Sequence, residues 1–243
     1  MIKIENLQVK VWEKEVLKNI NLQFEEGKNY LILWKNGSWK SSLSQFLMWN
    51  PLYEKIWWSV DIDGIDLLSL PVDGRAKAGL FLSFQNIPEI QWVNLGEYLR
   101  IIYSNHIKNQ NSLHSNISPF IFKRFLKKIL DESEIDENFL SRDLNVWFSW
   151  WEKRKIELLQ AKLLDPKYII LDEIDSWLDR DAFKIVSNWL TKLNNEKNSI
   201  IIITHNFEII KYINFDTVYI LKDGKKEKEW NIELVYEIMK NGF

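Results

Sequence analysis

Residues 34–41 read Trp34-Lys35-Asn36-Gly37-Ser38-Trp39-Lys40-Ser41, and this stretch decides how the rest of the chain is interpreted. It matches the phosphate-loop pattern G-x-x-x-x-G-K-[ST], except that tryptophan stands in both terminal glycine positions. The apolar run 30–33 precedes it, and a helical pattern over 42–48 follows. A strand, a loop and a helix in this order are the setting in which such a loop binds phosphate.

The pattern assigns a role to each part of this loop. Backbone N–H groups point at the phosphates and the next helix adds its dipole, so glycine is needed where a Cβ would collide or φ is positive. Lys40 is expected to reach the β- and γ-phosphates of a nucleotide, and the Ser41 hydroxyl to ligate Mg²⁺. The expected nucleotide-binding residues are Trp34, Lys35, Asn36, Gly37, Ser38, Trp39, Lys40, Ser41 and Ser42.

Tryptophan usage is unusual throughout the chain. There are 13 tryptophans and only 8 glycines in 243 residues, whereas glycine normally supplies about 7% of a chain. A tryptophan-rich core would space these residues at helical or strand intervals. Instead, tryptophans stand among turn-forming polar residues at positions 12, 49, 92 and 230, although Trp189 lies in a helical pattern. Our hypothesis is that most are glycines in the living protein, through a codon such as UGA read as glycine there.

Composition narrows the possible functions. A net charge of −2 with 27% charged residues predicts no general attraction to nucleic acid. The absence of cysteine excludes disulfides and thiolate catalysis in this chain. No apolar run reaches the ~18 residues of a membrane span, and residues 1–5 read as a strand without a signal peptide. We therefore expect a cytoplasmic protein that does not insert into a membrane.

The pattern of elements predicts an α/β fold. Alternation over residues 1–33 and 59–84 indicates antiparallel and short strands, whereas the continuous apolar runs 168–171 and 199–203 indicate buried parallel strands. Residues 88–164 show helical spacing, interrupted by a polar stretch in which His106 and His114 are expected in a solvated loop. We predict one domain over 1–243: a phosphate-loop core with an antiparallel β subdomain (1–87 and 165–243) and an inserted helical subdomain (88–164).

Two acidic residues follow the apolar run 168–171. Acid pairs also occur at strand ends as plain capping residues, but this pair comes more than a hundred residues after a phosphate loop. Asp172 can hold the water shell of Mg²⁺, and Glu173 can orient and polarise an attacking water.

Residues 146–154 read Val-Trp-Phe-Ser-Trp-Trp-Glu-Lys-Arg, and with glycine for tryptophan they resemble the signature motif of ATP-binding cassette (ABC) ATPases. The resemblance implies Mg²⁺-dependent ATP hydrolysis by a transient, ATP-dependent homodimer, in which the signature of one copy closes over the γ-phosphate bound by the other. It implies catalytic roles for Gln85, Glu173 and His205, and a magnesium shell of Ser41, Gln85 and Asp172. It also implies a signature of Ser149, Trp150, Trp151 and Glu152 and a D-loop of Ser176, Trp177, Leu178 and Asp179.

Within this family the sequence most resembles the SufC type, the ATPase of bacterial iron–sulfur cluster assembly. Residues 145–155 and 171–179 carry this likeness, because Ile174-Asp175-Ser176 follows the acid pair where transporter subunits typically have Pro-Thr. The resemblance implies SufB- and SufD-type scaffold partners whose shape changes as the dimer closes. Two alternatives stay open: the nucleotide-binding subunit of an ABC membrane transporter, and a non-catalytic scaffold if the tryptophans are real.

Overall fold

The structure is a computed structural model that describes residues 1–34, 42–48, 50–110, 117–174, 180–205, 207–230 and 233. The chain divides into two compact units, residues 1–85 with 166–243 and residues 86–165. Within the described ranges, no helix has both the length and the apolar character that a membrane span requires.

The first unit begins with a mixture of strands and short helices, and it resumes after the second unit. Its elements are β1 (Ile2–Val11), β2 (Lys14–Phe24), β3 (Tyr30–Trp34), α1 (Ser42–Leu47), β4 (Tyr53–Ile62), β5 (Ile65–Asp66), α2 (Val72–Lys77) and β6 (Leu80–Ser83). The second unit contains β7 (Ile90–Asn94), α3 (Leu95–Gln110), α4 (Pro119–Glu132), β8 (Asp143–Leu144) and α5 (Trp150–Leu164). The first unit then continues with β9 (Tyr168–Asp172), α6 (Arg180–Leu193), β10 (Ser199–Thr204), β11 (Thr217–Lys222) and β12 (Lys225–Trp230).

Two sheets build the first unit. The antiparallel sheet has the order β2-β1-β4-β5, and the larger sheet has the order β12-β11-β3-β10-β9-β6. In the larger sheet β11, β3, β10, β9 and β6 are parallel, and β12 pairs antiparallel to β11. Every residue of β9 and β10 is buried, as expected for strands covered on both faces. The prediction of an α/β fold is therefore confirmed.

Apolar side chains of both sheets and of α1 form one core cluster. Because the parallel strands all point the same way, their carboxyl ends meet at one edge of the sheet. In the register, Ile203 pairs with Asp172, Thr204 with Leu33, and Ser83 with Leu171. This edge collects the residues that follow β6, β9 and β10.

Several elements differ from the sequence-based expectations. The helix α2 lies in a region predicted to hold only strands, because six residues are too few to show a helical period. The strand β12 was not predicted, since its residues are mostly charged and exposed, as suits a sheet edge. The subdomain predicted to be helical, residues 88–164, also contains the antiparallel pair β7 and β8.

The polar stretch before α4 is partly helical. His106 lies on α3, so the expectation of a solvated loop is wrong for this residue, whereas His114 lies outside the described residues. Burial lowers the pKa of His106, and the carboxylate of Asp165 partly opposes this shift. The helical spacing was hidden by the Asn and Lys residues at the end of α3.

Four of the described tryptophans show two contrasting environments. Trp12, Trp92 and Trp147 have φ values of 58°, 64° and 59° and are 75%, 92% and 87% exposed. A bulky residue in this left-handed region is a genuine outlier, whereas glycine adopts it at no steric cost. Trp189 lies on α6 and is only 6% exposed. The backbone at the first three positions thus suits glycine, and the codon explanation stays a hypothesis.

Candidate functional site

Glu173 stands directly after β9, at the edge where the parallel strands end. Its backbone N–H donates to the carbonyl of Ile203 on the neighbouring strand at 2.9 Å. Its φ is 48°, a conformation that costs a non-glycine residue energy and that is frequent at functional sites. Asp172 is thus the last residue in extended conformation, and the backbone changes direction at Glu173.

Glu173 as a whole residue is 8% exposed, and its carboxylate lies between two polar side chains. The Gln85 Nε2 donates to Glu173 Oε2 at 2.7 Å, and His205 Nδ1 lies 3.7 Å from Glu173 Oε1. Gln85 follows β6 and His205 follows β10, so the two strands flanking β9 supply these groups. A carboxylate held between an amide and an imidazole can accept a proton from a water molecule within hydrogen-bond distance of it.

Asp172 is the last residue of β9, and it is 1% exposed. The hydroxyl of Ser44, on α1, donates to Asp172 Oδ2 at 2.6 Å. Ser44 is itself fully buried. The two carboxylates of the acid pair are thus held by different partners, and α1 is connected directly to the strand end.

The position of α1 is fixed at its carboxyl end by Arg75. This guanidinium, on α2 and 3% exposed, donates from Nη1 to the carbonyls of Phe46 at 3.1 Å and Leu47 at 2.6 Å. Its Nε donates to the carbonyl of Leu70 at 3.2 Å. Burial lowers the pKa of the guanidinium, yet an arginine stays protonated in proteins. A positive charge at this end also complements the helix dipole.

The residue types at this edge suit a magnesium ion that accompanies a nucleotide. Asp172 offers a carboxylate, Gln85 an amide, and Ser44 a hydroxyl that orients the carboxylate. Oxygen ligands of this kind are what Mg²⁺ prefers, usually through one or two carboxylates together with phosphate oxygens and water. The donor chemistry therefore fits the ion that the sequence predicted.

The predicted signature residues form the start of α5 in the second unit. Ser149 Oγ accepts from the N–H of Glu152 at 3.2 Å, and the N–H of Ser149 donates to Glu152 Oε2 at 2.7 Å. This capping box satisfies two N–H groups at the helix start. The rings of Trp150 and Trp151 each lie near a cation of their own helix: Arg154 Cζ is 5.0 Å from the first ring centroid and Lys155 Nζ is 5.4 Å from the second.

The loop before α5 is held by Arg142. Its Nη2 donates to the carbonyls of Val146 at 3.2 Å and Trp147 at 3.0 Å. Its guanidinium carbon also lies 4.4 Å from the centroid of the buried Phe148 ring. These contacts place the helix start at a defined point of the second unit.

The predicted site residues are either gathered at the edge of the sheet, described elsewhere in the chain, or outside the described residues. Gln85, Glu173 and His205 are brought together, with Asp172 beside them. The signature residues lie in the other unit, Trp34 ends β3, and Ser42 begins α1. Residues 35–41 and 176–179, which include Lys40, Ser41 and the D-loop, lie outside the described residues. Sequence reasoning missed Ser44 and Arg75; only the three-residue spacing of Ser44 from Ser41 on a predicted helix could have indicated the former.

Comparisons with known proteins bear on this arrangement. No family model matches the chain. The chain is 36% identical over 243 residues to a probable ATP-dependent transporter of Cyanophora paradoxa, covering 100% of this chain and 93% of that protein. It is 36% identical over 233 residues to the iron–sulfur cluster assembly protein SufC of Plasmodium falciparum, covering 95% of this chain and 66% of that protein. Its fold matches a dimeric ATP-binding cassette bound to ADP and Pi, with a TM-score of 0.76, 23% identity and coverage of 96% and 99%.

Proposed function

Because this chain belongs to the ATP-binding cassette ATPases, enzymes that hydrolyse ATP with magnesium, we propose that the edge of the sheet around Glu173 is its hydrolytic site. The observation that carries this proposal is the placement of the Glu173 carboxylate between Gln85 and His205, at the end of the acid-bearing strand. In this proposal Glu173 orients the attacking water and withdraws its proton, and His205 contacts the γ-phosphate.

Nucleotide and metal are assigned to the other residues that the sequence predicted. Lys40 and the backbone of residues 34–42 would bind the phosphates, and Ser41, Gln85 and Asp172 would hold the magnesium ion. When bound, the ion would supply positive charge that stabilises the phosphate oxygens during phosphoryl transfer. The burial of Asp172 and its bond to Ser44 support this assignment, because they hold a charged oxygen at the strand end in a fixed direction.

The signature residues are proposed to act on a second copy of the chain. Ser149 and the start of α5 would face the γ-phosphate bound by the partner in a transient, head-to-tail, ATP-dependent dimer, with the D-loop residues 176–179 alongside. A helix start suits an anion because its N–H groups and dipole point toward it. The indoles of Trp150 and Trp151 obstruct such an approach, so we propose the glycine form of this motif as the working one.

The cellular role is proposed to be that of a SufC-type ATPase in the cytoplasm, driving shape changes in SufB- and SufD-type scaffold proteins. The SufC relative and the Ile174-Asp175-Ser176 sequence after the acid pair support it. The second candidate is the nucleotide-binding subunit of a membrane transporter, which the name of the Cyanophora relative favours. Purification with candidate partners from the same source separates them: scaffold proteins support the first role, and a membrane permease supports the second.

A phosphate-release assay with Lys40→Ala tests the proposed activity. Removing the ammonium should abolish hydrolysis, because the motif assigns the contact with the β- and γ-phosphates to this lysine. Lys28→Ala, whose side chain pairs with Glu25 on the surface, is the matched control and should keep the activity. Equal rates for both variants would overturn the proposed function.

A further inference from the structure

The contact between Ser44 and Asp172 joins two parts of the first unit that are 128 positions apart in sequence. Both residues are almost fully buried, and the distance from Ser44 Oγ to Asp172 Oδ2 is 2.6 Å. A hydroxyl donating to a carboxylate at this distance is a charge-assisted hydrogen bond, roughly twice as strong as one between neutral groups. The contact is therefore specific, and burial keeps water from replacing it.

Both ends of this contact belong to elements that are fixed independently. Asp172 ends β9, which lies between β10 and β6 within the parallel sheet. Ser44 lies on α1, whose terminal carbonyls accept the hydrogen bonds of Arg75. A carboxylate otherwise rotates broadly about its terminal torsion. Fixing Oδ2 also fixes the direction of the second carboxylate oxygen, Oδ1.

The two acidic residues are held by separate groups. Ser44 contacts Asp172, whereas Gln85 and His205 face Glu173. A change at Ser44 should therefore affect what Asp172 binds and leave the water-activating residue in place. This separation makes the role of Ser44 measurable apart from the chemistry of hydrolysis.

We propose that Ser44 is a positioning residue that holds the Asp172 carboxylate in the orientation in which it takes up the divalent cation of the nucleotide. The proposal rests on the proposed function, since it assigns the cation to Asp172. It adds a residue outside the phosphate-loop pattern to the cation site. It also connects α1, which directly follows the loop in sequence, to the end of β9.

Binding of Mn²⁺ in the presence of ADP, measured by electron paramagnetic resonance, tests the proposal without hydrolysis. Mn²⁺ takes the same oxygen ligands as Mg²⁺. Ser44→Ala should weaken Mn²⁺ binding about tenfold, equivalent to about 1.4 kcal/mol. Its affinity for ADP in EDTA and the shape of its pH–rate profile should match the wild type. Ser44→Cys keeps a weak donor and should fall between the two.

Ser187→Ala is the matched control, since Ser187 is a fully buried serine on α6. It should bind Mn²⁺ as the wild type does. Wild-type Mn²⁺ affinity in both Ser44 variants, with hydrolysis intact in the wild type, would overturn the role of Ser44 and keep the proposed function. Absence of ATP hydrolysis in both the wild type and the form with glycine at 34, 39, 150 and 151, with Mn²⁺ binding still weakened in Ser44→Ala, would overturn the proposed function and keep the role of Ser44.

Discussion

The end of β9 and the start of α5 both carry residues that resemble parts of one ATPase site, yet they are built in opposite ways. At the end of β9, Glu173 is contacted by Gln85 from 88 positions away, and Asp172 by Ser44 from 128 positions away. At the start of α5, the bonds of Ser149 go to Glu152, three residues away on the same helix. The first region depends on the tertiary fold, and the second is a local motif.

The difference shows which of the two regions already has its side chains oriented within a single copy of the chain. The acidic residues at the end of β9 are buried and already oriented by their neighbours. Ser149 uses both its N–H and its hydroxyl within its own capping box, and two indoles follow it. The capping box uses the N–H groups of Ser149 and Glu152, so the obstacle to a phosphate at the start of α5 is the two indoles, and on our hypothesis smaller residues at 150 and 151 remove it.

The largest effect is expected for Glu173→Gln. Removing the proton acceptor should lower the rate of phosphate release by at least about 100-fold, the lower bound for loss of a general base. ATP binding should persist, because the amide keeps the shape of the side chain. Stopped-flow phosphate detection, with ATP binding measured separately, gives both quantities.

Glu134→Gln is the matched control for that variant. Glu134 also has a left-handed backbone, with φ of 53°, but it is exposed in the second unit. It should keep the wild-type rate. If both variants lose activity equally, the assignment of Glu173 is wrong.

The double change Trp150→Gly and Trp151→Gly should have the next largest effect. Opening the helix start to the phosphate of a second copy should raise turnover at least about tenfold, because preorganised N–H donors are worth about 10²–10³ in rate. Steady-state hydrolysis at several protein concentrations measures this. An unchanged rate would mean that the start of α5 takes no part in catalysis.

Trp189→Gly is the corresponding control, since Trp189 is buried on α6. It should gain no activity and should lose about 3–5 kcal/mol of stability through the cavity.

The mass of the tryptic peptide 143–153 from protein made in its native host tests the codon hypothesis itself. A mass corresponding to glycine at 147, 150 and 151 would support it, and a mass corresponding to three tryptophans would end it.

A smaller effect is expected for Arg75→Leu, which removes the guanidinium from the end of α1. Leaving buried carbonyls without this donor should cost about 1–3 kcal/mol in the free energy of unfolding. Urea denaturation measures the loss. Lys77→Met, on the same helix, breaks only an exposed pair with Asp73 and should change stability by less than about 1 kcal/mol. Equal losses in the two variants would contradict a special role for Arg75.

The smallest effect is expected for Trp147→Gly. Relieving a left-handed conformation at an exposed residue should stabilise the chain by about 1 kcal/mol, since such a conformation costs an L-residue roughly 1–2 kcal/mol. Asn145→Gly is the control: φ is 62° there, but the Asn145 side chain donates to the carbonyl of Pro88 at 2.9 Å. It should gain nothing in urea denaturation, and a loss of stability in Trp147→Gly would contradict the argument.

The sequence was most informative where a pattern is local or where strand ends must converge. The apolar runs before Asp172 and His205 indicated buried parallel strands, and the structure confirms both. The grouping of Gln85, Glu173 and His205 was implied by the family resemblance. The Asp223-Gly224 pair, with φ values of 49° and 80°, is a strong hairpin signal. The strand β12 was still missed, because its charged residues hide any alternation.

The remaining contacts depend on packing that no local pattern encodes. Whether Ser44 reaches Asp172 depends on how α1 lies against the sheet, and Arg75 reaches α1 only because α2 packs at its end. Gln85 was predicted through a resemblance to a family, yet its bond to Glu173 comes from the spacing of β6 and β9. These roles, like those of Lys40 and Ser41, stay predictions until the variants are measured.

The most direct test of the central claim is phosphate release from ATP by the chain carrying glycine at positions 34, 39, 150 and 151. We expect release that requires Mg²⁺ and rises with the square of protein concentration when the protein is dilute, because two copies must close on the nucleotide. Release should disappear when Glu173→Gln is added. No release at any protein concentration, in either the glycine or the tryptophan form, would contradict the account.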